Sequence, residues 1–124
     1  MRRRKCFLLV DTEMPESLST RKLMLESVKF NVISVYSGEE ALEEFERFPR
    51  VDGVILHSEL SGKVAFCDVA GKIKSADPKM FVLVLAPSGD AGCKHADQVM
   101  SSHDPKGLVD FLIQQFGAEQ EIKV

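Results

Sequence analysis

The sequence predicts an α/β domain in which a parallel five-stranded sheet carries helices on both faces. Short apolar runs alternate along the chain with segments of helical period. Two of the runs, Cys6 to Val10 and Met80 to Ala86, are continuously apolar, as strands buried on both faces are. The length, 124 residues, is that of one domain able to bury about two thirds of its unfolded surface. Parallel neighbours need right-handed crossovers, which the helical segments supply.

The elements follow in order. Cys6 to Val10 is the first strand, bounded by Asp11. Pro15 and Glu16 open a helical segment with Ser17 or Ser19 as cap and Leu18, Leu25 and Val28 as its apolar stripe. Asn31 to Val35 is a β-branched second strand. Ser37 with Glu40 fits a capping box for the next helix, whose stripe includes Ala41, Leu42, Phe45 and Phe48, and Pro49 stops it. Gly53 to His57 is the third strand, and Gly62 lies in the loop after it. Val64 to Ile73 is a helix that Gly71 weakens by about 1 kcal/mol relative to Ala. Met80 to Ala86 is the strongest strand, broken by Pro87 to Asp90, and Gln98 to Met100 is a weak fifth. Asp104 and Pro105 cap and open a last helix with Leu108, Val109, Leu112, Ile113 and Phe116 on its stripe, and Gly117 ends it. The domain is expected over residues 1–117, with 118–124 as a tail.

Composition narrows the function. The chain is 44% apolar and 28% charged with a net charge of −3, which disfavours general nucleic-acid binding. Arg2-Arg3-Arg4-Lys5 is followed by too short an apolar run for a secretory segment. No run approaches the roughly 20 residues that span a membrane. Cys6, Cys67 and Cys93 are odd in number and widely spaced, so no disulfide framework is expected and Cys93 reads as an ordinary surface thiol. A reducing, cytoplasmic setting fits.

In folds of this class ligands sit beyond the carboxyl ends of the strands. The residues there are Asp11 to Glu13, His57 to Glu59, Ala86 to Ser88 and Met100 to His103. With them, from about Lys5 to Gly117, the chain resembles the receiver domain of bacterial response regulators. Leu8-Leu9-Val10-Asp11-Thr12-Glu13 resembles the family's first strand and acidic pair, and Tyr36-Ser37-Gly38-Glu39-Glu40-Ala41-Leu42 its second strand-to-helix junction. Asp52 to His57 resembles the third strand, Gly62 the glycine of the next loop, and Asp104-Pro105 the opening of the last helix. The resemblance implies a flavodoxin-like fold with strand order 2-1-3-4-5.

It also implies a pocket: an Asp that accepts a phosphoryl group, Mg²⁺ on two further acids, and a hydroxyl and a lysine on the phosphoryl oxygens. The equivalents here are His57 for the acceptor, Asp11 and Thr12 for the acid pair, Ala86 for the hydroxyl, and Ser101 or Ser102 for the lysine. Val99 stands near the aromatic switch residue, with Ala86 as the other switch position. Only Asp11 keeps its type. An imidazole and a hydroxyl do not supply the charge a hard cation needs. Between Ala86 and Ser102 the crossover holds Gly89 and Gly92, so the family's fourth helix is expected to be shortened or replaced by a loop.

Two further constellations carry metal-ligating residue types. Asp11, Glu13 and His57 could hold Zn²⁺ or Fe²⁺, and Cys93, His95 and His103 have a non-standard metal spacing. Asp52 lies at the wrong end of its strand to be an acceptor. No nucleophile–base pair or phosphate loop is present, so no enzyme and no cofactor are expected. The expected role is a stand-alone, phosphorylation-independent signalling module that binds a protein partner. A conventional phosphoacceptor, and a protein that binds a metal or small ligand near His57, are the alternatives. Nucleic acid and membrane are not expected partners, and the oligomeric state is open.

Overall fold

The computed structural model of the protein describes residues 4–12, 20–48, 50–60 and 63–117. The expected opening of the first helix at Pro15 and Glu16, its caps Ser17 and Ser19, Leu18, Pro49, Gly62, Arg2, Arg3 and the tail 118–124 lie outside them.

The strands are β1 (Cys6–Val10), β2 (Asn31–Val35), β3 (Gly53–His57), β4 (Phe81–Ala86) and β5 (Gln98–Ser101). They form one parallel sheet in the order β2-β1-β3-β4-β5, as the sequence predicts. The helices are α1 (Thr20–Ser27), α2 (Gly38–Arg47), α3 (Phe66–Ala76) and α4 (Pro105–Phe116). Alternate side chains of each strand serve opposite faces. Leu8, Val10, Val54 and Val82 join Phe45, Val69 and Ile73 on the α2/α3 side. Phe7, Leu9, Ile55 and Leu83 join Leu25 and Leu112 on the α1/α4 side. Phe7 meets Phe30 and Phe116 edge-on at centroid distances of 5.1 and 5.0 Å. Each fully buried Leu or Phe contributes about 1.5–3 kcal/mol, so this double core is the main source of stability.

Local chemistry sets the helix ends. Ser37 Oγ accepts from Glu40 N at 3.1 Å, and Glu40 Oε1 accepts from Tyr36 N at 2.8 Å. The reciprocal bond thus lands one residue before the cap. Asp104 Oδ1 accepts from Gly107 N, and Pro105 opens α4. Val28 packs in the α1/α4 core, but from the turn after α1.

α3 starts at Phe66 rather than at Val64 and continues to Ala76. Residues 63 and 64 are held against α2: Lys63 N donates to Glu39 Oε2 at 3.1 Å, and the Val64 carbonyl lies over Gly38. The helix ends before Asp77, the residue preceding Pro78, where a proline disfavours helical backbone.

The β4–β5 crossover, residues 87–97, contains no helix. The family's fourth helix is replaced outright rather than shortened. Gly89 and Gly92 take φ of +78° and +66°, a conformation that interrupts helical backbone and favours glycine. The same segment corrects the cysteine expectation. Cys93 is not a surface thiol but is bonded to Cys67 of α3, with a Cα–Cα distance of 5.7 Å, and Cys6 keeps its thiol outside the disulfide. Sequence spacing hid the pair, because topology and not spacing lays the crossover over the start of α3. Among the described residues no helix is long and apolar enough to cross a membrane.

Candidate functional site at the carboxyl edge of the sheet

The strands end in register. Asp11 N donates to Val35 O at 3.0 Å, Ser58 N to Leu85 O at 2.8 Å, and Ser102 N to Ala86 O at 3.0 Å. These bonds bring Asp11, His57, Ala86 and Ser102 to one edge. Among the described residues the buried polar side chains are Asp11, His57 and Ser102, exposed by 4%, 5% and 6%. Polar groups are normally kept at the surface, so their burial together marks this edge as the candidate site.

A residue that the sequence analysis did not single out occupies it. Arg21, in the first turn of α1, donates from Nη1 to Asp11 Oδ1 at 2.7 Å and from Nη2 to the Ser102 carbonyl at 2.9 Å. Its side chain is 18% exposed. Asp11 Oδ1 also accepts from Thr12 N at 2.9 Å. One guanidinium thus ties the end of β1 to the loop after β5. Its planar fork suits two acceptors held apart in this way, and charge-assisted bonds of this length are among the stronger ones in proteins.

His57 closes β3. Its Nδ1 accepts from Glu59 N at 3.0 Å, which places the proton of the neutral ring on Nε2. Burial holds its pKa below the usual histidine value. The positive charge of Arg21 adds to that, Asp11 and Glu59 oppose it, and His103 lowers it further. The ring is thereby biased toward its neutral form.

Ala86 ends β4 almost fully buried and offers no hydroxyl. Ser102 uses its backbone N–H and C=O within the edge. Val99 is half-buried and packs toward the α2/α3 core. Thr12 is half-buried beside Asp11, and Glu13 lies outside the described residues. Asp52 sits at the opposite end of the sheet, where its Oδ2 accepts from Cys6 N at 2.8 Å.

The described members of both candidate metal sets are engaged elsewhere. Arg21 is already bonded to Asp11, and His57 Nδ1 is taken by the Glu59 amide. Cys93 is bonded to Cys67, His95 lies over Gly71 of α3, and the His103 amide donates to Ser101 Oγ. Among the described residues no three His, Cys, Asp or Glu side chains are grouped to hold a metal.

Arg21 carries no motif of its own. The available signal is its position early in a helix that follows the first strand end, where a long cationic side chain can reach back over the sheet.

No protein-family model matches the chain, and no curated protein matches it. Solved structures do. The response regulator TrrA of Thermotoga maritima, in complex with Mg²⁺ and a beryllium fluoride, is 27% identical with a TM-score of 0.70, over 89% of this chain and 97% of that one. A response regulator receiver domain protein of Clostridium thermocellum is 28% identical with a TM-score of 0.60; the match covers 66% of this chain and 64% of that protein's length. A CheY-like receiver domain protein of Methanospirillum hungatei is 18% identical with a TM-score of 0.77, over 91% and 94% of the two chains. The structural neighbours of this chain are thus response-regulator receiver domains of two-component signalling, and their fold is its fold.

Proposed function

We propose that the chain is a pseudo-receiver: a cytoplasmic signalling module that works by binding a protein partner, without accepting a phosphoryl group and without catalysis. The observation that carries this reading is the Arg21 guanidinium on Asp11, at an edge where β3 ends on His57. Phosphoryl transfer to a receiver needs a carboxylate nucleophile and a hard divalent cation held by oxygen ligands. The residues present do not fit Mg²⁺. Asp11 is already neutralised by a cation, Thr12 adds no charge, and imidazole suits softer metals. A divalent ion within about 5 Å of a guanidinium meets a repulsion on the order of 6 kcal/mol at an effective dielectric constant of about 20.

Partner binding is supported by the fold. A receiver of this architecture is joined to a protein in the CheX–CheY complex of Borrelia burgdorferi, 22% identical to this chain with a TM-score of 0.71. In the proposed mode Arg21 fixes the carboxyl edge in one arrangement, so the surface above it is presented without a phosphorylation cycle.

Intact-mass measurement tests this directly. The chain is incubated with acetyl phosphate and Mg²⁺ beside His57→Ala. The expected result is no phosphoryl adduct on either. An alkali-labile adduct would identify an acyl phosphate and overturn the proposal. An alkali-stable adduct lost in His57→Ala would identify a phosphohistidine and overturn it equally.

A further inference from the structure

We propose that Cys67 and Cys93 form a thiol–disulfide exchange site for small dithiols, and that its reduction releases the β4–β5 crossover from α3. This goes beyond the pseudo-receiver reading and does not depend on it.

Access comes first. Both cysteines are half-buried rather than enclosed. Cys67 borders an open depression shared with Asp68, Gly71, Lys72, Ser75 and His95, and Cys93 on the crossover is only half-buried. Disulfides that solution thiols can reach are the exchangeable ones.

The leaving group comes next. Cys67 is the second residue of α3, a helix of 11 residues whose N-cap, Ala65, makes no side-chain capping bond. The uncapped amides and the positive end of the helix favour a thiolate there. Asp68 opposes this charge, and Lys72 on the same rim supports it. A dithiol thiolate attacks the Cys93 sulfur, the Cys67–Cys93 bond breaks, and Cys67 leaves as the thiolate and takes a proton. The second thiol of the reductant then attacks the mixed disulfide. The products are two cysteine thiols and one oxidised dithiol, a two-electron exchange.

The consequence follows from how the crossover is held. Its ends are held without the disulfide: Gly89 N donates to Ala86 O, Asp97 N to Val82 O, and Asp97 Oδ2 accepts from Val82 N on the sheet and pairs with Lys74 of α3. Between them, among the described residues, no hydrogen bond joins residues 90–95 to α3. The disulfide is the covalent link, helped by Ala91 and Cys93 against the core and His95 over Gly71. The five strands and both apolar clusters do not need it, so the reduced chain keeps its sheet while the crossover loosens.

The test uses the full chain oxidised with glutathione disulfide, then treated natively with dithiothreitol. Alkylation with N-ethylmaleimide after unfolding, read by mass, is expected to add one label before treatment, at Cys6, and three after it. Hydrogen exchange at residues 87–97 is expected to rise about tenfold or more on reduction, while β1, β3 and β4 remain the slowest-exchanging segments. Cys67→Ser with Cys93→Ser should show the fast pattern in either buffer, and Cys6→Ser should still respond. Three labels without reductant would overturn the proposal, because the bond would not form. One label after native treatment would overturn it by showing an inert staple. Equal exchange of the crossover in both states, or strands that exchange as fast as the crossover in the reduced chain, would overturn the release of the crossover.

Discussion

Burial and the nearby charge of Arg21 act together on His57. Arg21 neutralises Asp11, and its charge together with burial pushes His57 toward the neutral ring. The sign of the resulting pH dependence is fixed. A histidine whose folded pKa lies below its unfolded value binds its proton more readily in the unfolded chain. Its contribution to stability is therefore complete above about pH 6.5 and is lost as pH falls through the folded value. Urea unfolding of the chain and of His57→Gln between about pH 7.5 and pH 5 reads this. The wild type should lose its margin over the variant as the pH falls. A margin that stays constant would mean the ring is solvated in the folded state. Asp11 and His57 were legible in the sequence because they directly follow or end a predicted strand, and Ser102 only as one of two serines just beyond the predicted fifth strand. Arg21 was not, because its role depends on how α1 leans over the edge, and no local pattern encodes that.

At the scale of elements, the start of α2 lies tightly against residues 64 and 69. A Cβ added at Gly38 would lie 2.7 Å from the Val64 carbonyl oxygen and 2.9 Å from Val69 Cγ2. The first contact is backbone, so it cannot be relieved by a rotamer change. Helix propensity alone favours alanine over glycine by about 1 kcal/mol. Overpacking at such a contact costs about 1–3 kcal/mol, so Gly38→Ala should destabilise. Guanidinium unfolding decides the sign, and a gain in stability would show that the loop yields freely. This contact also explains what the sequence did not give away. The Ser37 and Asp104 caps and the Gly117 stop are local chemistry and were readable. The start of α3 was not, since residues 63 and 64 have adequate helical character and are held out of the helix by α2. Gly71 reads in sequence as a helix defect, whereas the structure sets the His95 ring over it, with Nε2 3.1 Å from where a Cβ would stand.

For the whole molecule, five apolar runs alternating with helical segments made a parallel sheet with right-handed crossovers readable, while the strand order was what the resemblance to receiver domains implied. The same topology predicts that the β4–β5 crossover passes over α3, and that is the step by which Cys67 and Cys93 could have been paired. Counting cysteines by spacing ignores it. The pair are separated by 26 positions, and closing a loop of that size restricts the unfolded chain by an amount worth about 3 kcal/mol in the chain-entropy account. The double variant Cys67→Ser with Cys93→Ser should therefore unfold with a free energy lower by about 3 kcal/mol than the oxidised chain, which for a domain of this size is a fall in Tm of about 10 °C. Under dithiothreitol the wild type should drop to the level of the variant, because the loss belongs to the cross-link and not to the serine side chains. A difference below about 1 kcal/mol would mean that the unfolded chain already keeps the crossover near α3, since a cross-link cannot remove freedom that residual structure has already removed.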